Sequence, residues 1–148
     1  DDRRLVMCLR DSKIITLMVY FFSPFLLLSL LFMHDSRFLK VLLVPSISFF
    51  LVSAARNIIN APRPYEKLDI VPIIYKNTKG KSFPSRHIFS IFVIAMALYY
   101  ISIPMGITLM IIGIFLAVIR VIGGIHFPID VAAGAIIGIL AGLIGFYL

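Results

Sequence analysis

The sequence has few residues of the kinds that bind metals or form disulfides. It contains one cysteine, Cys8, three histidines, and seven Asp and Glu among 148 residues. A single cysteine excludes an internal disulfide and a cysteine-based metal site. A two-metal hydrolytic site needs several converging carboxylates, and those of this chain are scattered. The composition therefore disfavours metal-dependent hydrolysis.

Charge is absent from two long stretches. Residues 14–33 are 20 consecutive uncharged residues, and no residue of 88–119 is charged. The chain is 61% hydrophobic with a mean hydropathy of +1.05, which is too apolar for a soluble domain and typical of an integral membrane protein. The first run matches one bilayer crossing, whereas the second is too long for one. We attribute the net charge of +7 to attraction by anionic lipid rather than to nucleic-acid binding.

The sequence predicts an all-α, polytopic membrane helix bundle with one domain over residues 1–148. Pro104-Met105-Gly106 divides the second long run, Gly123-Gly124 breaks the chain again, and Pro128 suits a first helical turn. We expect about five transmembrane helices: Ile14–Met33, Phe38–Ile59, Ser85–Ile103, Met105–Ile122 and Phe127–Leu148.

The remaining residues form a tail over 1–13 and a polar loop over Asn60–Phe83, which we predict to lie on the surface beside the site. Since the chain begins at Asp1 rather than methionine, we expect it to be processed or trimmed. Gly134, Gly138 and Gly142 are spaced by four and share one face of the last helix. This spacing favours close packing inside the bundle, and a dimer seam is the alternative.

Three polar clusters lie at the ends of apolar segments, and counting membrane crossings brings all three to one face. They are Arg56 with Arg63, then Ser85-Arg86-His87, then Arg120 with His126 and Asp130. Arginine binds phosphoryl oxygens through paired hydrogen bonds, and an ionisable residue at membrane depth is a functional candidate. The alternative for Arg56 and Arg120 is that they reach out to lipid phosphates.

Two of these clusters open helices. Ser85 follows Pro84 at a predicted helix start, where free backbone N–H groups favour an anion. We expect Ser85 to cap this helix and to present its amide to phosphate. His126 and Asp130 are four residues apart at the next helix start. A carboxylate bonded to one ring nitrogen leaves the other nitrogen nucleophilic.

Over residues 14–148 the chain resembles the type 2 phosphatidic acid phosphatase (PAP2) superfamily. That family's pattern is a basic residue, six residues and Arg-Pro, then Pro-Ser-Gly-His, then Ser-Arg, five residues, His, three residues and Asp. Here it reads Arg56 to Arg63-Pro64, Pro84-Ser85-Arg86-His87, and Ile119-Arg120 to His126 and Asp130. Three positions depart from it: arginine replaces lysine at 56, arginine replaces glycine at 86, and isoleucine replaces serine at 119.

The resemblance implies roles for these residues and no metal or organic cofactor. His126 would attack phosphorus, Asp130 would orient it, and His87 would protonate the leaving oxygen and then activate water. The transferring group would be held by Arg56, Arg63, Arg120 and the Ser85 amide. For Arg86 we expect contact with the distal charge of a diphosphate, with contact to the lipid surface as the alternative.

The short five-helix form looks most like small bacterial undecaprenyl diphosphate phosphatases of this superfamily. It is also similar to phosphatidylglycerophosphate and phosphatidate phosphatases. The alternative of another class is a non-catalytic protein that binds or transports lipid phosphates. The expected partners are therefore a lipid phosphate or diphosphate and the bilayer, and not nucleic acid.

Two features of the sequence give opposite predictions for the side of the membrane on which the site lies. Once Arg56, Arg63, Arg86 and Arg120 are set aside, the site face keeps eight Lys and Arg, against Arg37 and Lys40 on the other face. The positive-inside rule would place this face in the cytoplasm. Bacterial relatives with lipid diphosphate substrates place it outside, and we expect the extracytoplasmic face of a bacterial cell membrane.

Overall fold

A computed structural model describes residues 35–68 and 79–148, together with four single helical residues at Leu17, Pro24, Leu28 and Leu31. Every regular element in these described ranges is a helix, which confirms the predicted all-α class. The helices are α1 (Phe38–Ile59), α2 (Pro64–Lys67), α3 (Arg86–Ile101), α4 (Ile103–Ile122) and α5 (Pro128–Tyr147).

Three stretches of the described chain are long and apolar enough to cross a membrane. They are Phe38–Lys67, which contains α1 and α2, and the helices α4 and α5. Helix α3 is apolar but shorter. Their outer faces leave large apolar side chains exposed, among them Phe50, Phe115 and Ile136, as lipid contact requires. The predicted first segment and the tail over 1–13 lie outside the described ranges, so the count of five stays a prediction.

The boundary between α3 and α4 differs from the predicted one. The sequence placed the break at Pro104-Met105-Gly106, but the chain turns at Ser102 and Pro104 lies inside the first turn of α4. Proline fits this position because the N–H it lacks would have no intrahelical partner there. A Cβ on Gly106 would overlap the Tyr99 backbone, so glycine lets the start of α4 pack tightly on the end of α3.

Helix α3 lies at the centre of the bundle and packs against α1, α4 and α5. Its most extensive contact is with α5, and this contact runs through the glycines spaced by four. A Cβ on Gly134 would lie 2.7 Å from the Ser85 carbonyl oxygen, and one on Gly138 would lie 2.8 Å from that of Phe89. A Cβ on Gly142 would overlap the Met96 side chain. The glycine face is therefore packed inside the bundle, as the spacing favoured.

Candidate active site

The ends of α1, α3 and α5 meet on one face of the bundle. The Ser85 backbone N–H donates to the Asp130 backbone carbonyl at 2.9 Å, which joins the starts of α3 and α5. Arg63 Nη1 donates to the Ile125 carbonyl at 3.5 Å, which joins the turn after α1 to the turn before α5. The face predicted by counting crossings is therefore the one that the structure builds.

Three arginines are buried at this face. Arg56 lies in the last turn of α1 and is 9% exposed, Arg63 is 2% exposed, and Arg120 closes α4 at 7% exposed. Such burial is incompatible with side chains that reach out to lipid phosphates. Arg56 interacts electrostatically with Arg63, Arg120 and Asp130. Like charges held together at low dielectric repel each other, and an anion bound among them would relieve that repulsion.

Arg63 is held rigidly in the turn that follows α1. This helix ends at Ile59, and Asn60 caps it in the left-handed region at φ 44°. The Arg63 Nε donates to the Gly80 carbonyl at 3.0 Å, and the Arg63 amide donates to Glu66 at 3.3 Å. These hydrogen bonds fix Arg63 within the turn, where its side chain is buried.

His126 and Asp130 form a buried pair at the start of α5. His126 is 2% exposed, and its Nδ1 lies 3.5 Å from Asp130 Oδ2. The same carboxylate oxygen accepts the Phe127 N–H at 3.0 Å. Contact through Nδ1 leaves Nε2 of His126 as the nitrogen available for attack.

Burial is the main influence on the protonation of His126. Desolvation lowers the pKa of the imidazole from its ordinary 6.5 because the charged form loses water, and the hydrogen bond that the imidazole donates to Asp130 partly opposes this change. The positive charges of Arg63 and Arg120 lower the pKa further. His126 therefore stays neutral, as a nucleophile must be, to a lower pH than a solvated histidine.

Ser85 lies at the site, immediately before the first residue of α3. Its amide donates to the Asp130 backbone carbonyl in this structure, and the contact of this amide with phosphate stays a prediction. Ser85 occupies the N-cap position of α3, as predicted, but its side chain makes no capping hydrogen bond. The Ser85 Oγ is fully buried and has no hydrogen-bond partner among the described residues.

The first two residues of α3 lie towards the rim of the site. Arg86 is exposed, and its guanidinium carbon lies 5.5 Å from the centre of the Phe49 ring on α1. It is close enough to Arg56 to interact with it electrostatically. His87 is partly buried. The acid role of His87 and the contact of Arg86 with a diphosphate stay predictions.

Sequence reasoning missed Ser82. We expected the whole of Asn60–Phe83 to be a surface loop, yet Ser82 is fully buried. Its Oγ donates to Asp130 Oδ2 and lies 3.3 Å from His126 Nδ1. The prediction of a surface loop failed at Ser82 because this residue is held inside the protein by a hydrogen bond to Asp130, a buried carboxylate that is distant in sequence. The one signal was the position of Ser82 two residues before Pro84.

Sequence reasoning also missed the role of Glu66, the third residue of α2. Its carboxylate accepts the Gly80 amide at 2.6 Å and the Arg63 amide. A proline opening the helix two residues earlier, followed by a glutamate in its first turn, is a recognisable helix start.

Among the residues that the structure describes, no group of three or more His, Cys, Asp or Glu is placed to hold a metal ion.

Comparison with known proteins identifies relatives of this arrangement. A family model described as the PAP2 superfamily matches residues 37–148. The bacitracin transport permease protein BcrC of Bacillus licheniformis is 29% identical over 85 residues, which make up 57% of this chain and 42% of that relative. The match thus spans less than half of the relative's length.

Two crystal structures resemble the fold closely. Aquifex aeolicus LpxE has a TM-score of 0.70 and 24% identity, and the match covers 91% of this chain and 87% of that one. The first transmembrane PAP2-type phosphatidylglycerolphosphate phosphatase from Bacillus subtilis has a TM-score of 0.71 and 18% identity, with 97% and 74% covered. At these identities the likeness shows a common fold.

Proposed function

Since the chain belongs to the PAP2 superfamily, we propose that it is an integral membrane lipid phosphatase that works without a metal, through a phosphohistidine intermediate. The observation that carries the proposal is the burial of Arg56, Arg63 and Arg120 around the His126–Asp130 pair. Buried cations concentrated beside one neutral imidazole suit a dianionic group under nucleophilic attack.

In the first step Nε2 of His126 attacks phosphorus. The N–P bond forms while the bond from phosphorus to the leaving oxygen breaks, and His87 gives that oxygen its proton. A positioned acid of this kind contributes about 10²–10⁴-fold to the rate. The three arginines hold the equatorial oxygens, where negative charge builds up in the transition state.

In the second step water releases phosphate from His126. His87, now neutral, takes a proton from the water as the new P–O bond forms and the N–P bond breaks. Phosphate leaves, and both histidines return to their starting states. Asp130 stays ionised throughout and keeps the His126 ring oriented through Nδ1.

For the substrate we propose undecaprenyl diphosphate, cleaved to undecaprenyl phosphate and inorganic phosphate. The exposed guanidinium of Arg86 supports a diphosphate, because it adds a fourth positive charge at the rim, where the second phosphoryl group would lie. Phosphatidylglycerophosphate or phosphatidate is the alternative. The likeness in fold to the phosphatidylglycerolphosphate phosphatase of Bacillus subtilis supports the former of these two.

Transport or simple binding of a lipid phosphate is the candidate of another class. The name of the Bacillus licheniformis relative, a transport permease, favours it. A binding protein has no need of a nucleophile with an oriented tautomer, which the buried His126–Asp130 pair provides. This geometry supports catalysis over binding.

The test is release of inorganic phosphate by the purified protein in detergent. The panel contains undecaprenyl diphosphate, undecaprenyl phosphate, phosphatidylglycerophosphate and phosphatidate, with His126→Ala as the matched control. We expect the highest kcat/KM with the diphosphate. Preference for phosphatidylglycerophosphate would replace the substrate assignment, and no release from any lipid by folded protein would overturn the phosphatase.

We also propose that the site faces the extracytoplasmic side of a bacterial cell membrane. The support is the resemblance to lipid diphosphate phosphatases, and the surplus of basic residues on the site face argues against it. Single cysteines placed at Asn77, Lys79 or Lys81 in a Cys8→Ser background would test it in intact cells. Labelling by a membrane-impermeant maleimide is expected, and labelling only after permeabilisation would reverse the assignment.

A further inference from the structure

Ser82 connects the carboxylate and the imidazole of the buried pair. Its Oγ donates a hydrogen bond to Asp130 Oδ2 and lies 3.3 Å from His126 Nδ1, while Nδ1 itself lies 3.5 Å from that carboxylate oxygen. A hydroxyl has one proton to donate and can accept at the same time. Because the Ser82 hydroxyl donates its one proton in the hydrogen bond to Asp130, its Oγ can accept a hydrogen bond from the N–H at Nδ1 of His126.

We infer that Ser82 is a positioning residue for the nucleophile and transmits part of the orienting effect of Asp130 to His126. The inference rests on the proposed function. Accepting from Nδ1–H and donating to the carboxylate, the hydroxyl fixes the tautomer that keeps the lone pair on Nε2. Ser82 touches neither substrate nor reacting atoms in this role.

The loop that carries Ser82 is anchored on both sides. The Ser82 amide donates to the Ala61 carbonyl at 2.9 Å. Gly80 is held by Glu66 and by Arg63, its amide donating to the carboxylate and its carbonyl accepting from the guanidinium. Gly80 has a φ of +65°, and a Cβ there would overlap the Asn60 side chain. This anchoring ties the position of the hydroxyl to the turn that holds Arg63.

The competing explanation is that Ser82 only donates a hydrogen bond to the buried Asp130 carboxylate and does not position His126. The two explanations predict different pH values for protonation of the His126–Asp130 pair. Without the Ser82 hydroxyl, the Asp130 carboxylate loses one of its hydrogen-bond donors. His126 then becomes the main side chain that stabilises the negative charge of Asp130. The pair then takes up a proton at higher pH. The other charged groups that face the pair, Arg56, Arg63 and Arg120, are unchanged.

The experiment compares Ser82→Ala with Ser82→Thr, which keeps a hydroxyl, and with Ser90→Ala as the matched control. Ser90 is also buried, but its Oγ donates only to the Arg86 carbonyl of its own helix. For Ser82→Ala we expect kcat to fall roughly 10- to 100-fold, the range of a hydrogen bond to a charged group, with little change in KM. Ser82→Thr should recover most of this loss, and Ser90→Ala should stay near wild type.

The deciding measurement is the acid limb of the kcat profile against pH. We expect the limb of Ser82→Ala to move to higher pH than that of wild type. An unchanged kcat overturns the inference. So does a loss of equal size at every pH, since that is what a purely structural role would produce.

A second readout separates this inference from the proposed function. The ring protons of His126 can be titrated by NMR in detergent micelles, because the chain has only three histidines. If wild type hydrolyses no lipid phosphate, the proposed function fails. A higher His126 pKa in Ser82→Ala would still support the connection between Ser82 and the pair, and an unchanged one would overturn it.

Discussion

The Ser85 amide donates a hydrogen bond to the backbone carbonyl of Asp130 at 2.9 Å. This bond joins the first residues of α3 and α5, which are distant in sequence and carry His87 and Asp130. One turn further along, a Cβ on Gly134 would lie 2.7 Å from the Ser85 carbonyl. Backbone contact thus fixes the axial position of α3 relative to α5. It thereby also fixes the distance between the polar cluster at the start of α3 and the cluster at the start of α5.

Replacing Gly138 by alanine should destabilise the bundle. The new Cβ would lie 2.8 Å from the Phe89 carbonyl oxygen, a backbone atom that cannot move alone. Overpacking of this kind lowers the free energy of unfolding by about 1–3 kcal/mol. Gly113→Ala is the control, since the atoms nearest to its Cβ would be side-chain atoms of Ile91 and Phe92, beginning at 3.0 Å. Thermal unfolding in detergent should give a clearly lower Tm for Gly138→Ala, and equal losses would contradict the backbone argument.

His126→Ala should abolish both turnover and the phosphoenzyme, because it removes the nitrogen that we propose as the nucleophile. His87→Ala should still form the phosphoenzyme, with the greatest loss of rate for lipids whose leaving oxygen is poor. The two variants are distinguished by incubating each with a lipid that carries a radioactive phosphoryl group. The protein is then denatured without acid, and the label that stays bound to it is measured. A substantial rate in His126→Ala would show that the nucleophile is misassigned.

Hydrolysis should persist in EDTA and be inhibited by vanadate. The charge-stabilising groups of the proposed mechanism are arginines, which chelators do not remove, and vanadate mimics the trigonal-bipyramidal phosphoryl group on His126. Phosphate release is measured with EDTA, with added Mg²⁺ or Zn²⁺, and with vanadate. Loss of turnover on chelation that a divalent ion restores would refute the metal-free mechanism.

The acid limb of kcat/KM should lie below pH 6.5, the ordinary pKa of histidine. Burial lowers the pKa of His126, so the neutral, nucleophilic form persists as pH falls and is lost only below the lowered value. His34→Gln is the control, because the count of membrane crossings in the sequence puts His34 on the face opposite the predicted site, and its profile should match wild type. An acid limb at or above 6.5 would mean that desolvation does not dominate at His126.

Arg86→Gly restores the pattern of the family and should reduce discrimination between diphosphate and monophosphate lipids. If the guanidinium contacts the distal phosphoryl group, its charge-assisted hydrogen bond contributes about 1.5–3 kcal/mol. This corresponds to a change of roughly tenfold or more in relative kcat/KM. Phe49→Leu tests the stacking partner separately and should have a smaller effect. Equal substrate ratios in wild type and Arg86→Gly would assign Arg86 to the lipid surface.

The helices that cross the membrane could be predicted because apolar length is a local property. Phe38–Ile59 has the bounds that hydropathy and the flanking polar residues indicated. The boundary at Ser102 was missed because proline is compatible with both a break and a first turn, and packing against Tyr99 decided between them. Residues 14–33 stay a prediction.

By itself the sequence determined the all-α class. It also predicted that eight polar residues share one face, since the number of crossings decides which helix ends lie on the same side. Only the tertiary structure decided how those residues are used. It bonded the Ser85 amide to the Asp130 carbonyl, buried Arg56, Arg63 and Arg120, and placed Ser82 against Asp130. The physical reason is that hydrogen bonds between distant segments depend on distances and burial, which are set by close packing of the helices and not by local spacing.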